Sequence, residues 1–215
     1  GSVCVLGHAA GYQATGANKI TAVGNSAMYY ADGALNTTAV GRLAGAYDEG
    51  TGSVWVGDSA GYRISGNYNV AMGFAALSGA SSGTGYGTAY QNVAIGQEVL
   101  ADISSGYYNV AAGVFAGTNM TTGHNNIAIG PRALNDATTA SNNVAIGSYA
   151  ATGMTDGQYN VAVGQYALQE NTQGDENVAI GYYSLYNTNP TADSGDNVAV
   201  GSKTGFTNTT GVQNA

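Results

Sequence analysis

The stretch QYNVAVGQYALQENTQGDENVAIGYYSLYN, residues 158–187, says nearly the same thing twice: NVAVG at 160–164 returns as NVAIG at 177–181. A phrase repeated at a fixed step marks a repeat architecture. Its closing glycine recurs at Gly7, Gly24, Gly41, Gly57, Gly73, Gly96, Gly113, Gly130, Gly147, Gly164, Gly181 and Gly201, in steps of 17, 17, 16, 16, 23, 17, 17, 17, 17, 17 and 20 residues. The whole chain is therefore about twelve copies of one unit, a single repeat domain over residues 1–215 with insertions at about 78–91 and 187–196. The pattern runs into both ends, as expected of a piece of a longer fibre.

Positions can be counted from each glycine. Three before it stand Val or Ile in most copies, with Cys4, Thr21 and Thr38 in the first three; one before it stand Val, Ile, Leu, Met or Ala. β-branched residues at a spacing of two over so short a run predict a strand. The residue between them is Ala in ten of the twelve copies, so both strand faces are apolar, one large and one small. A strand bordered by water on one side alternates apolar with polar, so these strands are expected to be covered on both sides. A second alanine column three residues past the glycine, from Ala10 to Ala167, reads as a second short strand on the return side of the coil. Trp55 departs from the first column: it needs locally wider spacing if that column faces a neighbouring chain, and none if the column faces outward.

Between the copies lie turns of Thr, Ser, Asn, Asp and Gly. A Ser or Thr stands eight residues past the glycine in nine copies, Thr15, Ser65, Thr121, Thr155 and Thr209 among them, and its side chain is expected to bond its own backbone in a tight turn. From Gly73 onward every copy has Asn four residues before its glycine: Asn69, Asn92, Asn109, Asn126, Asn143, Asn160, Asn177 and Asn197. If successive copies stack in register, these amides form a ladder, each bonded to its neighbours above and below. The fold class predicted is thus all-β, a parallel β-solenoid or β-roll of about twelve 17-residue rungs, rising roughly 4.8 Å per rung to about 55–60 Å in all. Its core is thin, so burial against further copies is expected, with the alanine face as the docking surface.

Composition excludes several function classes. Five Lys and Arg against thirteen Asp and Glu give a net charge of −8, which leaves no basic face for nucleic acid or an anionic membrane. Apolar runs broken by Gly do not approach the roughly 20 residues of a membrane span, and no signal peptide is visible. Cys4, in a column of Val, Ile and Thr, reads as a small buried hydrophobe.

The phrase NVAIG at 92–96, 143–147 and 177–181, followed by xxA and a Gly-bearing turn, resembles the head repeat of YadA-like trimeric autotransporter adhesins and is similar to repeats of bacteriophage tail fibres. The resemblance covers essentially the whole chain. It implies a left-handed parallel β-roll, three chains side by side around a fibre axis, and adhesion outside the cell or on the virion. The unit here is longer than the adhesin repeat, which leans toward phage or environmental relatives.

Candidate contacts for a receptor are tyrosines. Tyr86 and Tyr90 stand in the first insertion, where solenoids often carry recognition. Tyr68, Tyr108 and Tyr159 directly precede the Asn column, and Tyr149, Tyr166 and Tyr183 follow the glycine. A tyrosine offers a flat apolar ring with a hydroxyl, suited to sugar or protein. Acids such as Asp48, Glu49, Asp102, Asp156, Asp175, Glu176, Asp193 and Asp196 shift position from copy to copy, unlike calcium ligands or a glycosidase pair, and read as solvated turn residues. His8 and His124 have no Ser or carboxylate at catalytic spacing. Three Asn-x-Ser/Thr sequons, at Asn36, Asn119 and Asn208, match what chance would give. No enzyme, cofactor or metal is expected. The leading expectation is a non-enzymatic segment of an extracellular homotrimeric fibre presenting loops to a cell-surface glycan or protein. The alternatives are a filament subunit, since no polar cap closes residues 3–6 or 209–215, and an ice-binding solenoid built on the Ser/Thr column.

Overall fold

The computed structural model describes residues 2–79, 86–187 and 195–207. The chain is a parallel β-solenoid: among the described residues it has twelve short strands, one per repeat, and no helix. It divides into two compact units, Gly1–Tyr108 and Asn109–Ala215. The first holds β1 (Val3–Leu6), β2 (Ile20–Val23), β3 (Thr38–Val40), β4 (Val54–Val56), β5 (Val70–Met72) and β6 (Val93–Ile95). The second holds β7 (Val110–Ala112), β8 (Ile127–Ile129), β9 (Val144–Ile146), β10 (Val161–Val163), β11 (Val178–Ile180) and β12 (Val198–Val200). Within each unit consecutive strands pair in parallel and in register. Like therefore meets like: Ala22 lies beside Ala39, and Ala162 beside both Ala145 and Ala179.

Which face points inward corrects one expectation. The alanine column is the inside of the coil: Ala22, Ala39, Ala71 and Ala94 in the first unit and Ala145, Ala162 and Ala179 in the second have no exposed surface. The larger residues on either side of it point out, with Ile95 45%, Ile129 41% and Ile180 39% exposed. Each coil covers its own alanines with the second alanine column, Ala44, Ala60 and Ala76 in one unit and Ala133, Ala150 and Ala167 in the other, all fully buried. A coil of about 17 residues encloses a narrow interior, where two facing methyls fit and two facing isoleucines would overpack. The docking face cannot be the alanines. Cys4 shares this outward column and is exposed rather than buried.

The second alanine column is also not a strand. Its flanks adopt left-handed backbone in coil after coil, as at Ser26 (φ 55°) and Met28 (φ 51°) or Tyr166 (φ 60°) and Leu168 (φ 52°). Hydrogen bonding between coils continues without strand dihedrals: Tyr30 N donates to Ala46 O at 2.6 Å, and Ala151 N to Ala167 O at 2.8 Å. The backbone groups of this segment are thereby satisfied along the stack.

The repeated glycine has a steric cause. Its φ lies far into the region that only glycine visits readily, +137° at Gly147. A Cβ there would sit 2.6 Å from the carbonyl carbon and oxygen of Gly164, the same position one coil on. Backbone stacks on backbone at this corner. Inside the coil, volume is traded between two positions: Met28 with Ala31, Gly117 with Met120, Leu134 with Ala137, and Ala151 with Met154. Large meets small each time, and these side chains are buried. These four coils thus hold similar interior volumes, whereas the coil of Gly96 buries two large residues, Leu100 and Ile103, at the same positions.

Candidate binding surface

The asparagines form the spine on which surface residues are hung. All eight are at most 1% exposed. In the second unit each side-chain amide donates to the Oδ1 of the preceding Asn: Asn126 to Asn109 at 3.1 Å, Asn143 to Asn126 at 3.2 Å, Asn160 to Asn143 at 3.1 Å, Asn177 to Asn160 at 3.0 Å and Asn197 to Asn177 at 3.0 Å. The same Oδ1 accepts the next backbone N–H, 2.9 Å from Asn160 to Asn143. The second amide hydrogen reaches a carbonyl of the following coil, as from Asn143 to Gly157 O at 2.8 Å. In the first unit Asn92 bonds Asn69 in the same way, at 3.2 Å, and Asn69 N in turn donates to Ser53 Oγ at 3.2 Å. A parallel stack brings identical side chains within one hydrogen bond of each other, and the amide carries a donor and an acceptor on one plane.

The Ser/Thr column makes its own ladder rather than closing local turns. Thr121, Thr138 and Thr155 donate their hydroxyls to Thr138 O (3.0 Å), Thr155 O (3.1 Å) and Thr172 O (3.1 Å), each one coil on.

Trp55 occupies the alanine column and is fully buried inside its coil. Room comes from Gly45 and Gly61, where a side chain would collide with the indole. Its Nε1 donates to Asp48 Oδ2 at 2.9 Å, and Gly50 N donates to Asp48 Oδ1 at 2.8 Å. Asp48 is therefore not a solvated turn residue: it has no exposed surface. Burial pushes its carboxyl up to about 6, against the pull of the bonds from Trp55, Gly50 and Thr37. The signal was present in the sequence as two departures in neighbouring copies, a ring where Ala is usual and an acid in a column that is Ala, Ile or Met in most copies and nowhere else charged.

The tyrosines named above fall into separate places. Tyr68, 58% exposed, lies over Gly52. Tyr90 stacks on Tyr107 at 4.9 Å and 2°, with Tyr108 edge-on to both. Tyr159 belongs to the second unit and is exposed there. Tyr149, Tyr166 and Tyr183 also stack, at 5.4 and 4.6 Å. Much of the first insertion lies outside the described residues, but Tyr86 is placed: it stacks on Tyr47 at 5.0 Å, and Tyr47 stacks on Tyr30 at 5.0 Å. Tyr62 meets Tyr47 edge-on at 5.3 Å. Burial, helped by a hydrogen bond with Tyr62, pushes the Tyr47 hydroxyl up to about 12.

Beside this stack runs a groove of about 610 Å³ lined by Gln13, Thr15, Tyr30, Asp32, Tyr47, Glu49 and Tyr86. Its walls are columns of the repeat. Gln13, Tyr30 and Tyr47 each stand six residues past a repeated glycine, and Thr15, Asp32 and Glu49 each stand eight past it. Of these only Tyr86 was read from sequence as a receptor contact; Thr15 was read as a residue of the Ser/Thr column and Glu49 as a solvated turn acid. The rest were recoverable by counting columns, because equal offsets from the glycine stack on one line.

One serine and one histidine are brought together by the coil. Ser141 Oγ lies 3.0 Å from His124 Nδ1, although the two are 17 residues apart. Ser141 is 3% exposed, accepts from His124 N at 3.2 Å and donates to Thr139 O at 3.1 Å. It is buried and ties a turn together. Among the described residues no group of three or more His, Cys, Asp or Glu is placed to hold a metal ion, and no helix is long and apolar enough to cross a membrane. No family model matches the chain, and comparison with curated proteins and with solved structures gives no match.

Proposed function

We propose that this chain is a non-enzymatic structural and adhesive segment of an extracellular homotrimeric fibre, a bacterial surface adhesin or a phage tail fibre, whose copies pack through the outward face of the strands. The observation that carries the reading is the composition of that face. Across all twelve repeats the two outward strand positions hold no charged residue. In the second unit Val110, Ile127, Ile129, Ile146, Ile180 and Val198 are each more than a third exposed. An uncharged aliphatic stripe renewed in every coil is what a protein keeps for another protein surface. Another copy of the same chain matches its period coil for coil. The number three and the extracellular setting follow the resemblance of the NVAIG repeat to trimeric fibre proteins.

Multi-angle light scattering tests the reading directly. The expected mass is three times 21.5 kDa. A monodisperse monomer at micromolar concentration rejects it, and an unbounded mass with threads in the electron microscope replaces it with end-to-end stacking of coils.

A further inference from the structure

We propose that the groove between the tyrosine stack and the acidic column of the first unit binds a neutral oligosaccharide, laid along the coils. The proposal deepens the adhesive reading above by naming the ligand class, and rests on it. Rings stacked face to face at 5.0 Å and 17° to 25° turn their faces toward one another and their edges outward. A cation needs a ring face, so this stack is not built as an aromatic cage. It offers instead a row of ring edges and hydroxyls, and a hydroxyl both donates and accepts.

The facing wall supplies acceptors. Thr15 Oγ1 donates to Asp32 Oδ1 at 2.6 Å and so fixes that carboxylate, with Glu49 exposed one coil on; Gln13 continues the tyrosine column at the near end. A carboxylate can accept two neighbouring hydroxyls of one pyranose, and an amide can serve a third. Length agrees as well. The walls span three coils at roughly 4.8 Å each, a step comparable to one sugar residue of an extended chain. Charge then decides which sugars fit. No Lys or Arg lines the groove, and the exposed Asp32 and Glu49 do, so uronic, sialylated or sulfated chains meet repulsion without a counter-charge. An aromatic wall opposed by a few fixed polar groups is the ordinary composition of a specific small-molecule site.

The test is titration calorimetry of the intact chain with cello-, manno-, laminari- and chito-hexaose, with hexagalacturonate and an oligolysine peptide as contrasts. At least one neutral hexasaccharide is expected to bind and hexagalacturonate is not. The double variant Asp32→Asn/Glu49→Gln alters exposed side chains only and should weaken that binding about tenfold or more. Tyr30→Ala should weaken it too, with circular dichroism confirming that the coil persists. Silence toward every neutral sugar, binding untouched by both variants, or binding of oligolysine in place of sugar overturns the proposal. Light scattering on the same samples separates the two readings: a monomer that binds sugar rejects the fibre alone, and a trimer that binds none rejects the groove alone.

Discussion

Asp48 and Trp55 show how a single residue pair can depart from a repeat without breaking it. The folded protein holds the Asp48 proton more tightly than an unfolded chain, in which the carboxyl titrates near its ordinary 3.8. Folding is therefore favoured by this group below about pH 4, and the advantage is lost as pH rises to about 6, a difference of roughly 3 kcal/mol. Melting temperature against pH should fall across that window in the wild type and flatten in Asp48→Asn. A wild-type curve that is flat or rises there, relative to the variant, contradicts the assignment. The traded volumes give a second residue-scale prediction. Met120→Ala should cost about 2–4 kcal/mol through the cavity it leaves. Gly117→Leu combined with Met120→Ala copies the Leu134 and Ala137 arrangement of the next coil, whose leucine already accepts a φ of 50°. The double variant should recover most of the loss in urea unfolding; if it is worse than the single one, the coils do not share one interior.

At the scale of the element, the strands are too short to specify their own register. β8 to β12 are three residues each, and one strand of that length could slip by a residue at little cost. The asparagine ladder prevents this, because a slip removes buried hydrogen bonds on both sides of the displaced amide. Asn143→Ala leaves Asn126 Oδ1 without its side-chain donor, Gly157 O without its partner, and the amides of Asn160 without their acceptor. The expected cost is about 3 kcal/mol or more, seen as a lowered midpoint in denaturant. An effect under about 1 kcal/mol would mean that backbone pairing alone sets the register.

On the scale of the whole molecule, the question is what covers the outward aliphatic face. Ile129 and Ile146 point away from the coil, so the pair Ile129→Lys and Ile146→Lys should leave the circular dichroism of one chain unchanged. It should also reduce a trimer to a monomer by light scattering. Survival of the trimer would place the contact elsewhere on the surface.

How much of this was legible can be argued from particular columns. The recurring glycine, the Val-Ala-Ile phrase and the asparagine column were enough for a parallel solenoid, because a coil that stacks on itself repeats its local requirements at a fixed step. A φ of 126° to 139° at each repeated glycine leaves a mark in every copy, and the asparagine donor–acceptor pair leaves one in every copy from Gly73 onward. Direction was not legible. Small and large residues alternate along the strand, and either face could have been the inner one; the width of the closed coil chose the alanines. For the same reason Cys4 is outside and Asp48 is inside. The groove stayed hidden because no single repeat contains it: Thr15, Asp32 and Glu49 become one wall, and Tyr30 and Tyr47 the other, only when three successive coils are laid on top of each other.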